Sequence, residues 1–407
     1  MHNPSNRPPN LVPPRWYDIK IVIASDAPQF DTGFGLQTRY LAWGLYTLGH
    51  TVETVSLPPI PPDQVSHGFP FRVHTKTGWE GVLDYGPEWT LITLTDDYKV
   101  LNALHQRPRV RQWFRWVAYD GDVMPLSWIG LNALSTPVLV SPWGRTMLQS
   151  RFPQMEVPYI PHGVDTAFWH SPSPAEREAA QRRVFSQEKP DFVVGYVGRG
   201  HPRKNIPVWF WIAGELLKHH PTTQFLLRMP PQDGAGQYDW MEFVDRFNLW
   251  GKLQWIVSPS QERGVEPEFL RDIYWACDVL VHPAMSEGFG LTPIESRLCG
   301  TPALVGAYSA MRDWASPLEQ VPIATWSWEA ESIKQARVDA RAMVRRVEKL
   351  MNPTVRAKVA QQAYKQVEGL TIDRMVQAWH TRLTQDSAGE SSLPWIDLRT
   401  IDWGVVH

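Results

Sequence analysis

Ile19-Lys20-Ile21-Val22-Ile23-Ala24 comes first. Gly33 and Gly35 follow in a loop, then Leu36, Tyr40, Leu41, Gly44, Leu45 and Leu48 at helical spacing, and after Gly49 comes Thr51-Val52-Glu53-Thr54-Val55. This run decides the fold class. Its outer segments are short, apolar and β-branched, as buried strands are, and the middle repeats every three to four residues, as a helix does. Strand, glycine loop, helix and strand in that order make a βαβ unit, and such units belong to parallel sheets. Working outward, Thr90–Leu94, Trp116–Tyr119 and Pro137–Val140 read as further strands of the same series.

A second series opens at Phe192-Val193-Val194-Gly195-Tyr196-Val197. A glycine-containing basic loop, a helix from Ile206 to His219, and strands at Gln224–Arg228, Leu253–Val257, Val279–His282 and Pro302–Val305 follow. Between the series, Phe168–Pro190 is charged and rich in Ala, Glu and Arg. The expected fold is therefore α/β, with two doubly wound Rossmann-like domains facing a central cleft. We divide the chain into an N-terminal domain 1–168, a linker 169–190, a second domain 191–370, and a helix and tail 371–407 that cross back to the first. The region Glu329–Gln366 reads as helical throughout, and Asp373–Thr384 as a further helix. Leu393-Pro394-Trp395 and Trp403 are apolar enough for the tail to dock.

Composition agrees with that division. At roughly 150 residues per domain, 407 residues give two to three domains. Forty Lys and Arg against 42 Asp and Glu leave a net charge of −2, which disfavours wholesale coating of a polyanion. A hydrophobic share of 43% with 20% charged residues argues for a sizeable core and against disorder. Two cysteines, Cys277 and Cys299, exclude a disulfide framework and a Cys-rich zinc module and fit a reducing compartment. No apolar run approaches the ~20 residues of a membrane span, and the N-terminus lacks a signal-peptide core. A soluble, cytoplasmic protein is expected. Proline, at about 9% against a usual ~5%, and 21 tryptophans stand out. The tryptophans can fill cores, or some can serve as platforms for sugar rings or bases.

Three loops carry chemistry. Ser286-Glu287-Gly288-Phe289-Gly290-Leu291-Thr292-Pro293-Ile294-Glu295 follows a strand and opens a helix. Thr292 and Glu295 have capping-box spacing, with Pro293 at the first helical position. Gly288 and Gly290 let backbone N–H groups approach a ligand at the positive end of the helix, an anion site. The same residues can also merely turn the chain and cap the helix. Gly198-Arg199-Gly200-His201-Pro202-Arg203-Lys204-Asn205 places three cations at a helix start, which suits a diphosphate, or makes a solvated basic turn. Asp31-Thr32-Gly33-Phe34-Gly35 is a weaker phosphate or sugar contact.

Glu287 and Glu295 stand eight positions apart, and Arg199 and Lys204 five apart. With Pro161-His162-Gly163-Val164-Asp165, Phe168, Ala276-Cys277-Asp278-Val279 and Leu298-Cys299-Gly300-Thr301-Pro302, this order resembles the retaining nucleotide-sugar glycosyltransferases of the GT-B fold, the group 1 and glycogen synthase-like enzymes. The likeness covers roughly Ile19 to Val305 and is stronger in the second block.

The resemblance implies that Glu295 holds the ribose of the donor, Glu287 contacts the donor sugar, and Arg199 and Lys204, with Arg203, neutralise the diphosphate. Gly288 and the amides of Phe289, Gly290 and Leu291 lie beside them, and Gly33 and Gly35 line the cleft from the first domain. It further implies a UDP- or GDP-linked hexose donor, no cofactor and no metal, and retention of configuration. Many members carry a His after the strand equivalent to Trp116–Tyr119; here Tyr119-Asp120-Gly121-Asp122 stands instead. Asp120 takes that place or is a turn residue before Gly121.

The acceptor stays open between a hydroxyl of a glycan, lipid or small molecule and a hydroxymethylated pyrimidine base of DNA, as for phage-type enzymes. Arg107-Pro108-Arg109-Val110-Arg111 with Arg115 could track DNA phosphates, or form an exposed helix face. A non-catalytic nucleotide-sugar binder or an epimerase is the remaining alternative. Arg228–Gly236 is a candidate neighbour of the base, and oligomeric state is open.

Overall fold

The structure, a computed structural model, describes residues 18–61, 68–96, 100, 106–121, 128–185, 190–230, 238–257, 265–328 and 334–388. The first sheet contains β1 (Lys20–Ser25), β2 (Thr51–Ser56), β3 (Arg72–Val73), β4 (Trp89–Thr93), β5 (Gln112–Val117) and β6 (Thr136–Leu139), in the order β3-β2-β1-β4-β5-β6. The second contains β7 (Val193–Val197), β8 (Gln224–Arg228), β9 (Leu253–Ile256), β10 (Val279–His282), β11 (Ala303–Gly306) and β12 (Gln320–Val321), in the order β12-β11-β10-β7-β8-β9. Every pairing in both sheets is parallel. The central strands β1, β7, β10 and β11 are almost wholly buried and apolar, as sheets covered by helices on both faces require. Strand order reverses at β1/β4 and again at β7/β10, and ligands bind beyond the carboxyl ends of strands at such points. These are the two Rossmann-like domains of a GT-B architecture.

Three local expectations are corrected. The first helix runs Gly33–Thr47, so Gly33 and Gly35 occupy its first turn rather than a preceding loop. Thr32 caps it, its Oγ1 accepting from Gly35 N at 3.0 Å. A Cβ on Gly35 would lie 2.6 Å from the Phe30 carbonyl oxygen, so the turn closes only around glycine. The region Glu329–Gln366 is not one helix. β13 (Ile323–Trp328) and β14 (Lys334–Val338) pair as an antiparallel hairpin, and helices Ala340–Met351 and Pro353–Val367 follow, split at Asn352, which caps the second. The Ile-Ala-Thr-Trp-Ser-Trp run has the β-branched and aromatic character of a strand. Within 168–190, helix Pro174–Val184 starts on a Ser173/Glu176 capping box and is tied to the second domain. Arg183 grips Asp272 with two bonds of 2.6 and 2.7 Å, and Arg177 bonds Asp278 at 2.8 Å.

The chain crosses between domains twice, and the crossings are joined. Val164 N donates to the Leu370 carbonyl at 2.8 Å, while Gln37 of the first helix exchanges two bonds with the backbone of Gly163. Helix Ile372–Ala388 then lies on the first domain. Its Trp379 meets Phe114 and Trp116 edge-on at 5.7 and 5.6 Å, and Val376 fills the space over Gly44, where a Cβ would come within 2.3 Å of it. Leu393-Pro394-Trp395 and Trp403 lie outside the described residues. Among the described residues no helix is long and apolar enough to cross a membrane.

Trp379 is fully buried. Trp379→Ala should therefore cost about 3–5 kcal/mol, measured by urea unfolding of the full chain. A loss under about 1 kcal/mol would mean that the C-terminal helix does not support the first domain.

Candidate active site

A cleft of about 680 Å³ opens between the carboxyl ends of the two sheets. From the second domain it is lined by Arg199, His201, Pro202, Arg203, Lys204, Glu287, Gly288, Phe289, Gly290, Leu291, Thr292 and Pro293. From the first come Asp26, Thr32, Gly33, Phe34, Asp96, Ala118, Asp120 and the motif residue His162. Of the residues singled out in the sequence, Gly35 and Glu295 do not line it.

The basic loop leaves β7 through Gly198 and makes one 3₁₀ turn, Pro202–Lys204, whose cap is His201. Asn205 then takes a left-handed conformation (φ 58°) and donates to the Pro283 carbonyl at 3.3 Å, tying this loop to the one after β10. The turn brings Arg203 and Lys204 together onto Glu287. Arg203 Nη1 donates to Glu287 Oε2 at 3.0 Å, Lys204 Nζ donates to Oε1, and His282 Nε2 lies 2.8 Å from the same oxygen. Burial alone would raise the Glu287 pKa, yet Lys204, Arg203 and His282 outweigh it and hold the carboxyl well below its usual range. Glu287 is a fixed carboxylate. Burial lowers the Lys204 pKa, with Arg203 adding to the effect and Glu287 opposing it. Burial likewise lowers that of His282, whose ring stacks on Tyr196 at 5.8 Å.

Arg203 reaches across the cleft as well. Its Nε lies 3.2 Å from Asp120 Oδ2, so one guanidinium joins a carboxylate of each domain. Asp120 is thereby a cleft residue rather than a turn residue alone. The domains also meet at the backbone. A Cβ on Gly288 would stand 2.3 Å from the Ala118 carbonyl oxygen, and one on Gly33 3.3 Å from Leu291 Cδ1.

The expected capping box does not form. Gly290, left-handed at φ 87°, precedes helix Leu291–Leu298, so Pro293 is its third residue, and no side chain caps the N-terminus. The first-turn amides lack intrahelical acceptors and face the cleft with the helix dipole behind them. Glu295, released from capping, accepts from the Tyr274 hydroxyl at 2.8 Å. Burial raises its pKa to about 7, with Tyr274 opposing.

Sequence reading assigned no role to His282, His162, Asp26 or Asp96. His282 ends a strand of its sheet and Asp26 and Asp96 follow theirs within three residues, and that position is the signal that could have found them. The basic cluster of the first domain splits. Arg115 is buried, donating to Ser135 Oγ at 2.7 Å and to Asn132 Oδ1. Arg107, Arg109 and Arg111 lie on an extended segment before β5, not on a helix face, and so at the amino ends of the strands, away from the cleft. Among the described residues no group of three or more His, Cys, Asp or Glu could hold a metal ion. Of Arg228–Gly236, only residues 228–230 are described.

Residues 177–366 match the family described as "Glycosyl transferases group 1". Two similar curated proteins are both named D-inositol 3-phosphate glycosyltransferase. That of Rhodococcus opacus is 30% identical over 32% of this chain and 29% of its own length, and that of Segniliparus rotundus 26% identical over 47% and 42%. This chain thus aligns with less than half the length of either relative. Among solved structures, sucrose-phosphate synthase of Thermosynechococcus elongatus superposes with a TM-score of 0.68 at 19% identity, covering 91% of this chain and 99% of that one. Anabaena HepE in complex with UDP and glucose does so at 0.70 and 13%, covering 90% and 99%.

The Glu295 carboxyl stays protonated in the fold to about pH 7, whereas the unfolded chain ionises it near 4.5. The folded state thus holds the extra proton between these values, and stability falls as pH rises through that window, by about 3 kcal/mol. Denaturant unfolding at pH 5 and 7.5 should show this loss in the wild type and a correspondingly smaller one in Glu295→Gln. Equal slopes in the two proteins would contradict the burial argument.

Proposed function

We propose, from the premise that residues 177–366 form a group 1 glycosyltransferase domain in a GT-B frame, that this chain moves a hexose from a nucleoside-diphosphate sugar to an acceptor hydroxyl with retention of configuration. One observation carries the reading. Arg199, Arg203, Lys204 and the N-terminus of helix Leu291–Leu298 converge on a single cleft that a second domain closes.

Breaking the anomeric C–O bond leaves negative charge on the departing phosphate and positive charge on the sugar ring. The cations and free amides stabilise the first charge, and donors fixed in advance are worth several kcal/mol of barrier. The acceptor oxygen attacks from the face the phosphate leaves, and a leaving phosphate oxygen takes its proton. No metal enters this scheme. Glu287, ionised and held by three partners, accepts from sugar hydroxyls and so positions the ring without acting as a nucleophile. Glu295, one turn inside the helix and bonded to the Tyr274 hydroxyl, lies behind the cleft lining and reaches the ribose only at the end of the helix's first turn. Asp120, on the first domain, stands where the donor sugar meets the acceptor and can accept from hydroxyls of both.

A UDP-sugar is the first donor to test, because UDP is named in an Anabaena structure of the same fold. Two buried free thiols, Cys277 and Cys299, suit a reducing cytoplasm. The placement of Arg107–Arg111 at the far end of the first sheet, and of Arg115 in its core, weighs against DNA as acceptor.

Lys204→Ala and Glu287→Gln should each reduce nucleotide release from the donor, assayed with acceptor present, by about 10²–10³-fold in kcat/KM. Circular dichroism would verify that the variants are folded. Wild-type turnover in both variants would remove this cleft as the site of transfer.

A further inference from the structure

The two walls of the cleft differ in charge, and the difference bears on the acceptor. We propose that the acceptor is an uncharged polyol carrying no phosphate, held by Asp26, Asp96 and Asp120 together with His162. The proposal rests on the transferase reading above and adds the acceptor class to it.

The three aspartates come from one place in the topology. β1, β4 and β5 are neighbours in the first sheet, and each is followed within three residues by one of them: Asp26 after Ser25, Asp96 after Thr93, Asp120 after Val117. Parallel strands bring all three to the same edge of the cleft. Among the described residues, the lining contributed by the first domain contains no Lys or Arg. On the opposite wall Arg203 and Lys204 are paired with Glu287, and Arg203 also with Asp120.

His162 supplies an independent sign of a ligand. It lines the same cleft, is 3% exposed, and sits edge-on to Trp116 at 4.5 Å and Phe289 at 4.9 Å. Its Nδ1 is buried with no hydrogen-bond partner among the described residues. Burial pushes its pKa down to about 3, so the ring is neutral, with one donor and one acceptor nitrogen. A hydroxyl satisfies either nitrogen because it both donates and accepts. A phosphate oxygen can serve only the donor.

Carboxylates are the strongest acceptors for sugar hydroxyls, and two oxygens on one carboxylate can take two neighbouring hydroxyls. A phosphate beside such a wall meets like charge. At a separation near 6 Å and an effective dielectric constant of about 20, each close carboxylate disfavours it by about a hundredfold in affinity before screening. The diphosphate of the donor makes this worse, because it occupies the only nearby cations of the described lining. Inositol 3-phosphate, which the relatives' names contain, carries the group this wall disfavours.

The test uses the full chain with UDP-, GDP- and ADP-glucose and reads nucleoside diphosphate release. Water hydrolysis of a donor without acceptor reports on the transferase reading by itself. Acceptors are then compared in matched pairs: myo-inositol with inositol 3-phosphate, and methyl glucoside with glucose 6-phosphate. The expected result is a kcat/KM at least about tenfold higher for a neutral member than for its phosphorylated partner, a ratio that narrows in Asp96→Asn and in Asp26→Asn. Release driven equally or better by the phosphorylated member overturns the acceptor assignment, as does transfer to hydroxymethylated DNA. It is also overturned if no neutral polyol raises release above the water rate. Absence of release from any of the three donors overturns the transferase reading, and this proposal with it.

Discussion

Arg203 is the contact on which the rest of the cleft depends. Its guanidinium donates to the Ser286 carbonyl and to Glu287 and lies 3.2 Å from Asp120, so a single planar group fixes two loops of one domain and a strand end of the other. Lysine could not do this, because a point charge lacks the fork that addresses three oxygens in fixed directions. Lys204 beside it then experiences a like charge, and Glu287 foremost, with Asp120, makes the pair of cations tolerable in a largely buried site. Removing one partner from such a cluster is costly, since the remaining charges stay buried without compensation. A diphosphate is a suitable replacement partner: it can take the cations while Glu287 accepts from sugar hydroxyls.

The fold was largely legible because its strands are short β-branched runs bounded by glycine, proline and charge. Where the reading failed, a second influence overrode a local one. Gly33 and Gly35 read as a loop because glycine discourages helix, yet Thr32 caps a helix there and the carbonyls of Ala27 and Phe30 leave no room for a side chain at position 35. Ile323–Trp328 and Lys334–Val338 pair as strands where Ala336 N donates to the Met285 carbonyl and anchors β14 beside the loop after β10, a tertiary bond that no local pattern announces. The abundance of tryptophan is in large part core filling: Trp116, Trp209 and Trp379 are fully buried.

The second domain's wall of the site was legible for a different reason. Its chemistry is carried by two contiguous segments, Gly198–Asn205 and Ser286–Glu295, and contiguity is what a sequence displays. The first domain's wall is assembled from single residues some seventy, twenty-four and forty-two positions apart, at 26, 96, 120 and 162, which only the fold brings together. The capping box was a persuasive local pattern that the structure discards. A left-handed Gly290 starts the helix early, and the Tyr274 hydroxyl offers Glu295 a better use than capping would.

Closure of the two domains links these walls. Gly288 against the Ala118 carbonyl, Gly33 against Leu291, and Trp143 N donating to Asp313 at 2.7 Å are all contacts across the cleft. They leave a cavity of about 680 Å³ walled by both sheets' strand ends. Water competes with an acceptor for the anomeric carbon, and excluding it also strengthens every interaction inside. Because the backbones at Gly288 and Ala118 already touch, the domains cannot approach further at that point. A separation of the two walls would part Arg203 from Asp120. The ion pair that unites the two walls is therefore the side-chain contact most directly exposed to any change in their separation.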